Sequence, residues 1–350
     1  MKGVLDKIIS PSQNAFVPGR RISNNILLGQ ELFHGYNRQQ LPPRCALKID
    51  LRKAYDTLEW DFILAMLQLF GFPPKLIQWI EECISSTSFS IALNGEIHGF
   101  FPGARGLRQG DTMSPYLFVL QWRSCTFYFF SVLSNPILFS IIGDAKSLQA
   151  NVTKSQLILS KSANDIRTRL LAILGFQEGF LQVRYLGLPL ISSRLTPDDC
   201  KPLLLKVDGK LNGWGSLQLS FAARVQLLQS DISALNTYWA MAFILPKGIM
   251  RTIEARMRQF LWKGGSGSCI AKVAWADVCH PLEEGGQGIR RLEPLNQALM
   301  SKHFWELLQN TNSSIWVTWI SYHYLRECTV WTARETRGSW SWRKILRLRN

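Results

Sequence analysis

At 350 residues the chain can bury a sizeable core and is long enough for two or three domains or subdomains, and its 47% hydrophobic and 19% charged residues exclude disorder as a description of the whole. The 40 Lys and Arg against 25 Asp and Glu leave a formal charge of +15, a field that attracts phosphate backbones or anionic surfaces. Nucleic acid is the better match of the two, because the cations are interleaved with Trp, Tyr and Phe.

Pro11 to Arg21 reads as a turn-rich segment ending in Pro-Gly-Arg-Arg, and Ile22 to Tyr36 then repeats apolar residues at helical spacing until Pro42-Pro43. Cys45 to Leu51 is a short apolar strand carrying Asp50 at its end. Trp60 to Phe70 returns to a helical period that Gly71 and Pro73-Pro74 stop, and Lys75 to Ile84 predicts another helix. Phe89 to Leu93 and Ile97 to Phe101 flank Asn94-Gly95, the strongest short-range hairpin signal. Gly103, Gly106 and Gly110 follow in a loop that brings backbone close to something, before Ser114-Pro115 opens a further helix.

Beyond position 160, Ile166 to Leu174 and Phe221 to Ser230 predict helices and Tyr185 to Ile191 a short strand. Ile249 to Trp262 is a basic amphipathic segment carrying Arg251, Arg256 and Arg258, ended by Gly264 to Gly267. The tail concentrates large aromatics at Trp305, Trp316, Trp319, Trp331, Trp340 and Trp342. The seven cysteines stand far apart without a paired CxxC, which predicts a reducing compartment and no structural zinc; Cys279-His280 lacks a second ligand pair nearby. Nothing at the start suggests a secretory signal. The apolar run from Phe127 to Ile142 is broken by Ser131, Ser134, Asn135 and Pro136, which predicts buried core and no membrane span.

Two-metal nucleotidyl transfer needs carboxylates converging on Mg²⁺ ions about 3.5 to 4 Å apart. Asp50, directly after a strand, suits a metal ligand or a helix cap equally, and Asp56 falls beyond the strand in a different environment. Arg105 to Asp111 suits a base or phosphate pocket, since its glycines permit close approach while Arg108 and Gln109 donate hydrogen bonds. Arg20-Arg21 after Pro18-Gly19 has the same ambiguous character.

Order and spacing then become informative. Gln13 to Ile22 (QNAFVPGRRI), Leu47 to Asp56 (LKIDLRKAYD) and Gly106 to Pro115 (GLRQGDTMSP) together resemble the reverse transcriptase of plant LINE-type non-LTR retrotransposons. The likeness continues through Asn151 to Ser155, Tyr185 to Pro189, and Leu219 to Trp239, covering most of the chain. It implies an α+β, right-hand polymerase-like arrangement of fingers, palm and thumb, followed by a mostly helical C-terminal region. Fingers and palm would occupy 1–160, the primer-grip-like and thumb-like region 161–263, and a Trp-rich extension 264–350.

By the same resemblance Asp50 is the palm aspartate that binds catalytic Mg²⁺, Tyr55 gates against a 2′-hydroxyl, and Lys154 assists the leaving pyrophosphate. Gln109 and Gly110 would pack on nucleotide and template, with Arg20 and Arg21 on its phosphates. Arg108, Arg251, Arg256 and Arg258 would meet an RNA template or RNA–DNA hybrid, in the nucleus or cytoplasm and without a membrane.

The family, however, places Phe or Tyr, Ala and two Asp on a hairpin between the Arg-Gln-Gly and Asn-x-x-Lys-Ser blocks, and this sequence has no such quartet. The adjacent pair Asp198-Asp199 lies in a Thr-Pro-Asp-Asp turn past the primer-grip-like strand, and Asp144 has neighbours resembling a downstream loop. The palm is therefore expected to be incomplete, with a hole or an unpaired edge. The expected protein is catalytically inactive and retains RNA or hybrid binding. An active polymerase with a rearranged metal site, and a nucleic-acid-binding or vestigial protein without enzymatic role, stay open as alternatives.

Overall fold

The computed structural model describes residues 3–38, 40–133, 150–181, 183–191, 193–215, 217–263, 271–309 and 314–349. Asp144, the far end of the Phe127 to Ile142 run, and Gly264 to Gly267 lie outside the described residues. The chain forms two compact units, one made of 1–21 with 37–180 and the other of 22–36 with 181–350. Thus α1 (Leu5–Ile8) stays in the first unit while α2 (Ile22–Phe33) belongs to the second.

The first unit is a mixed α+β body. Its strand β1 (Cys45–Lys48) leads to α3 (Trp60–Leu69) and α4 (Pro74–Ser85). Pro74 opens α4, where a missing N–H costs no helical hydrogen bond. Both helices bury one stripe, Ile63, Met66 and Leu67 from α3 and Ile77, Ile80 and Ile84 from α4, at the three-to-four spacing of a helix face. A hairpin follows, β2 (Ser88–Leu93) and β3 (Glu96–Pro102), turning on Asn94 and Gly95 at φ 51° and 90°, the two positive values a type I′ turn demands. Every residue of both strands is exposed.

Ser114 begins α5 (Ser114–Leu133), whose Leu117 and Leu120 join Leu5, Leu58, Ile63, Leu67 and Ile80 in one core cluster. A three-stranded sheet completes the unit. In it β4 (Gln156–Leu159) pairs antiparallel with β1 from Cys45↔Leu159 to Lys48↔Gln156, and parallel with β5 (Gln177–Gly179) across α6 (Asn164–Leu174). Among the described residues β1 is an edge strand, and no sheet closes on itself.

The second unit is largely helical. Where one strand was expected over Tyr185 to Ile191, β6 (Arg184–Tyr185) and β7 (Leu188–Pro189) form a tight hairpin, because Leu186 and Gly187 adopt φ 52° and 83° and reverse the chain. Then come α7 (Lys201–Gly215), α8 (Phe221–Leu227), a π-helical turn at Leu228–Ile232 and α9 (Ser233–Ala240). Next are α10 (Lys247–Lys263), α11 (Trp275–Val278), α12 (Leu292–Gln309), α13 (Ile315–Tyr324) and α14 (Trp340–Leu346). No described helix is long and apolar enough to cross a membrane.

Buried polar groups lock this unit together. Asn296 of α12 donates to the carbonyls of Ala240 (2.9 Å) and Phe243 (2.7 Å) and accepts from the amide of Leu245 (2.8 Å). Glu31 of α2 accepts from the Tyr324 hydroxyl (3.0 Å) and from the amide (3.1 Å) and hydroxyl of Ser339. Burial, the largest influence, raises the Glu31 pKa above its ordinary value against the opposing pull of those donors.

Candidate functional site

Asp50 lies just past β1, half-buried. Its amide donates to the Ser155 hydroxyl at 3.1 Å, its carbonyl accepts from the Asn151 amide at 2.7 Å, and Leu51 bridges Ala150. The Asn151 carbonyl in turn accepts from the amides of Lys154 (3.1 Å) and Ser155 (2.8 Å). That tight turn places Ser155 inward, fully buried, and Lys154 outward, exposed. Two segments far apart in the sequence thus close around one aspartate.

After Leu51 the chain turns at Lys53 (φ 46°), whose carbonyl accepts from the amides of Asp56 (2.9 Å) and Thr57 (3.1 Å). The glycine loop docks on this turn. Gly106 donates its amide to Leu58 (2.7 Å), Leu107 donates its own to Tyr55 (2.8 Å), and the Trp60 indole donates to the Gly106 carbonyl (2.8 Å). Gly106 has φ +90°, and a Cβ there would stand 3.0 Å from the Asp56 carbonyl oxygen, so conformation and space both require glycine.

The Tyr55 ring stacks on Phe118 of α5, with centroids 4.7 Å apart and planes 13° from parallel, and burial pushes its phenol pKa up. Arg108, Gln109 and Gly110 stand exposed at the crest of the loop. Behind them Asp111 accepts from the Ser114 hydroxyl (3.2 Å) where α5 begins. The expected loop leading into a helix is the conformation the chain adopts.

The structure gives Arg20 a different task from the phosphate contact that the resemblance implies. Its side chain is 9% exposed, its Nε faces Asp6 at 3.5 Å, and its terminal nitrogens donate to the carbonyls of Asp6, Ile9, Ser10 and Gln13. The guanidinium ties down the N-terminal segment and satisfies carbonyls at and beyond the end of α1. Arg21 is half-buried immediately ahead of α2. On α10, Arg251 and Arg258 are exposed, whereas Arg256 is paired with Asp208 of α7.

A two-metal clamp is not supplied by the described donor set: among the described residues no three His, Cys, Asp or Glu side chains gather where they could hold a cation. Asp198 pairs with Lys201 (2.8 Å), and Asp199 accepts from the amide and hydroxyl of Thr196, so both acids organise the start of α7. At Cys279 burial, with Glu254 adding to it, pushes the thiol up to about 11, and His280 faces Glu284 at 3.3 Å. Sequence reasoning did not single out Ser155 as the acceptor that holds Asp50, nor Phe118 as the ring under Tyr55. The first could have been suspected from the Asn-x-x-Lys-Ser block; the second has no sequence signal.

The family model described as reverse transcriptase (RNA-dependent DNA polymerase) matches residues 1–125. A putative ribonuclease H protein of Arabidopsis thaliana is 34% identical over 170 residues, covering 45% of this chain and 26% of that protein. An uncharacterized 149 kDa protein of transposon TX1 from Xenopus laevis is 24% identical over 331 residues, 83% of this chain and 24% of its own length. The retrovirus-related Pol polyprotein of the type-2 retrotransposable element R2DM of Drosophila melanogaster is 26% identical over 110 residues, 31% of this chain and 10% of its own. The chain spans about a quarter of the length of the first two of these relatives.

Proposed function

The chain is a distant relative of the reverse transcriptases of non-LTR retrotransposons, and from that premise we propose that it is a catalytically inactive member of the plant LINE-type lineage that holds an RNA template or RNA–DNA hybrid. In this reading the first unit carries fingers and palm, the later helices supply thumb and extension, and the protein works in the nucleus or cytoplasm.

The observation that carries the reading is Asp50, held at a strand end by Ser155 and Asn151 in a sequence without the paired aspartates its partner hairpin would bring. In nucleotidyl transfer, metal ions clamp both the attacking and the leaving oxygen, and one carboxylate does not assemble that clamp. Each ~1.4 kcal/mol of lost transition-state stabilisation slows the step about tenfold. What this chain retains is a binding frame: Tyr55 beneath a sugar, Gln109 and Gly110 against nucleotide and template, and Arg108 and Lys154 exposed toward phosphates.

Two measurements test this. Hybrid binding by the purified full chain should weaken steeply with added salt, and Arg108→Gln should reduce both affinity and salt slope. Primer extension on an RNA template with an annealed DNA primer and Mg²⁺ should match an Asp50→Ala control. Product above background that disappears in the control would overturn the inactive reading, and loss of all nucleic-acid binding by the folded wild type would overturn the binding reading.

A further inference from the structure

The second unit contains a cavity of about 250 Å³ lined by Arg194, Trp340, Arg343, Lys344 and Arg347. Four of these residues come from α14 and the 3₁₀ turn (Arg347–Arg349) that continues it. Positions 340, 343, 344 and 347 follow the i, i+3, i+4, i+7 rule for one helix face, while Ser341, Trp342, Ile345 and Leu346 are buried on the other. Arg194 approaches from the separate segment ahead of α7.

This face departs from an ordinary solvated helix surface, where acids alternate with bases at those spacings. Here every charged residue lining the cavity is a cation. Glu335 pairs with Arg347 (3.1 Å) through its Nε, and Arg343 uses its Nε on the Ser339 carbonyl (3.3 Å), so each guanidinium is fixed along one edge. Among the described residues Arg194 and Lys344 make no ion pair. The Lys344 ammonium sits 5.7 Å from the Trp340 ring centroid, and burial, with Arg347 and Arg194 adding to it, lowers its pKa. The helix dipole favours cations in a last turn, which accounts for Arg343 and Lys344 but not for the convergence of Arg194 from elsewhere.

We propose that this cavity is a seat for a phosphate of the sugar–phosphate backbone of a bound nucleic-acid strand, with Arg343 and Arg347 offering planar guanidinium forks and Arg194 and Lys344 closing over the anion. The assignment rests on the nucleic-acid-binding reading above and places a contact in the C-terminal region that neither the charge count nor the basic helix α10 had located.

The test uses the full chain, a labelled RNA–DNA hybrid and a labelled single-stranded RNA, with anisotropy measured from ~50 to 200 mM KCl. Arg194→Gln/Lys344→Gln should weaken binding about tenfold at ~100 mM salt and flatten the log–log salt slope by about 0.7 to 0.9, the loss of one phosphate contact. Lys344→Arg should retain both. Unchanged affinity and slope in the folded double variant would overturn the proposal; if that variant does not fold, Arg194→Gln alone, at an exposed side chain, decides the matter with half the slope change. Arg108→Gln is run in parallel. Loss there with none at the cavity overturns this inference alone, and the converse overturns the loop's part in the proposed function alone. Cavity-dependent broadening of the ³¹P signal of pyrophosphate without an effect on strand binding would mark a free-anion seat, and cavity-dependent binding to phosphatidylserine vesicles in place of RNA a membrane contact; either overturns the strand assignment.

Discussion

A Cβ built on Gly106 would stand 3.0 Å from the carbonyl oxygen of Asp56, because the glycine loop lies directly on the backbone of the turn that follows Asp50. Gly106→Ala meets that oxygen while also forcing a side chain into φ +90°. The expected cost is about 1–3 kcal/mol of stability in the first unit, read as a lowered melting temperature, with loss of protection of the Leu107 amide in hydrogen exchange. An alanine variant as stable as wild type would show that the loop is not docked on the Tyr55 turn.

Ser155 offers a more local probe. Its buried hydroxyl accepts from the Asp50 amide, so Ser155→Ala leaves that amide without its partner at an expected cost of about 1–3 kcal/mol. The Asp50 amide should then exchange faster while the Asn151 amide, which donates to the Asp50 carbonyl, stays protected. Equal exchange in both proteins would remove Ser155 from its positioning role.

Asn296 fastens the second unit by three buried hydrogen bonds to the segment from Ala240 to Leu245. Asn296→Ala orphans two carbonyls and an amide together, and a loss on the order of 3 kcal/mol or more is expected in chemical denaturation. Asn296→Asp, which turns a second oxygen toward the carbonyls of Ala240 and Phe243 and buries a charge, should cost at least as much as the alanine.

Glu31 predicts a pH dependence of unusual sign. Its folded-state pKa is raised, chiefly by burial, so its favourable contribution is complete below its ordinary value of 4.5 and is lost as pH rises through the folded value. Relative to Glu31→Gln, the wild type should therefore gain stability as pH falls from neutral toward 4.5. Paired melting curves across that interval check the sign; a wild-type advantage that shrinks on acidification would show that the donors from Ser339 and Tyr324 outweigh burial.

Periodicity made α3, α4 and the Asn94-Gly95 hairpin legible because each is set by local rules: stripes of buried isoleucine and leucine, a proline at a helix start, two positive φ values. The strands β4 and β5 escaped notice because they are four and three residues long and take their identity from partners across the sheet. At Tyr185 to Ile191 a leucine in the left-handed region makes the reversal, and leucine is not a turn signal. Helix α7 contains Gly209, Gly213 and Gly215, which dilute its pattern, yet Leu203, Val207 and Leu211 still bury one face. At the candidate site, the order of the sequence blocks pointed to the neighbourhood of Asp50 and Tyr55. It did not reveal that Pro18-Gly19 turns Arg20 back onto backbone carbonyls, since that depends on where α1 ends in space.

The allocation of α2 to the second unit has a consequence for the order in which the protein can be made. Ile26 and Leu27 are buried against residues such as Leu188, Phe243, Trp316 and Trp342, so this helix packs against side chains synthesised well after it. At about 5–20 residues per second, translation keeps α2 waiting roughly 15 to 60 s with its apolar stripe uncovered. The second unit therefore stays open at this wall until its later helices have been made. A polypeptide started at residue 181 lacks one wall of its own interior, and would have to recruit residues 22–36 as a separate peptide to complete it.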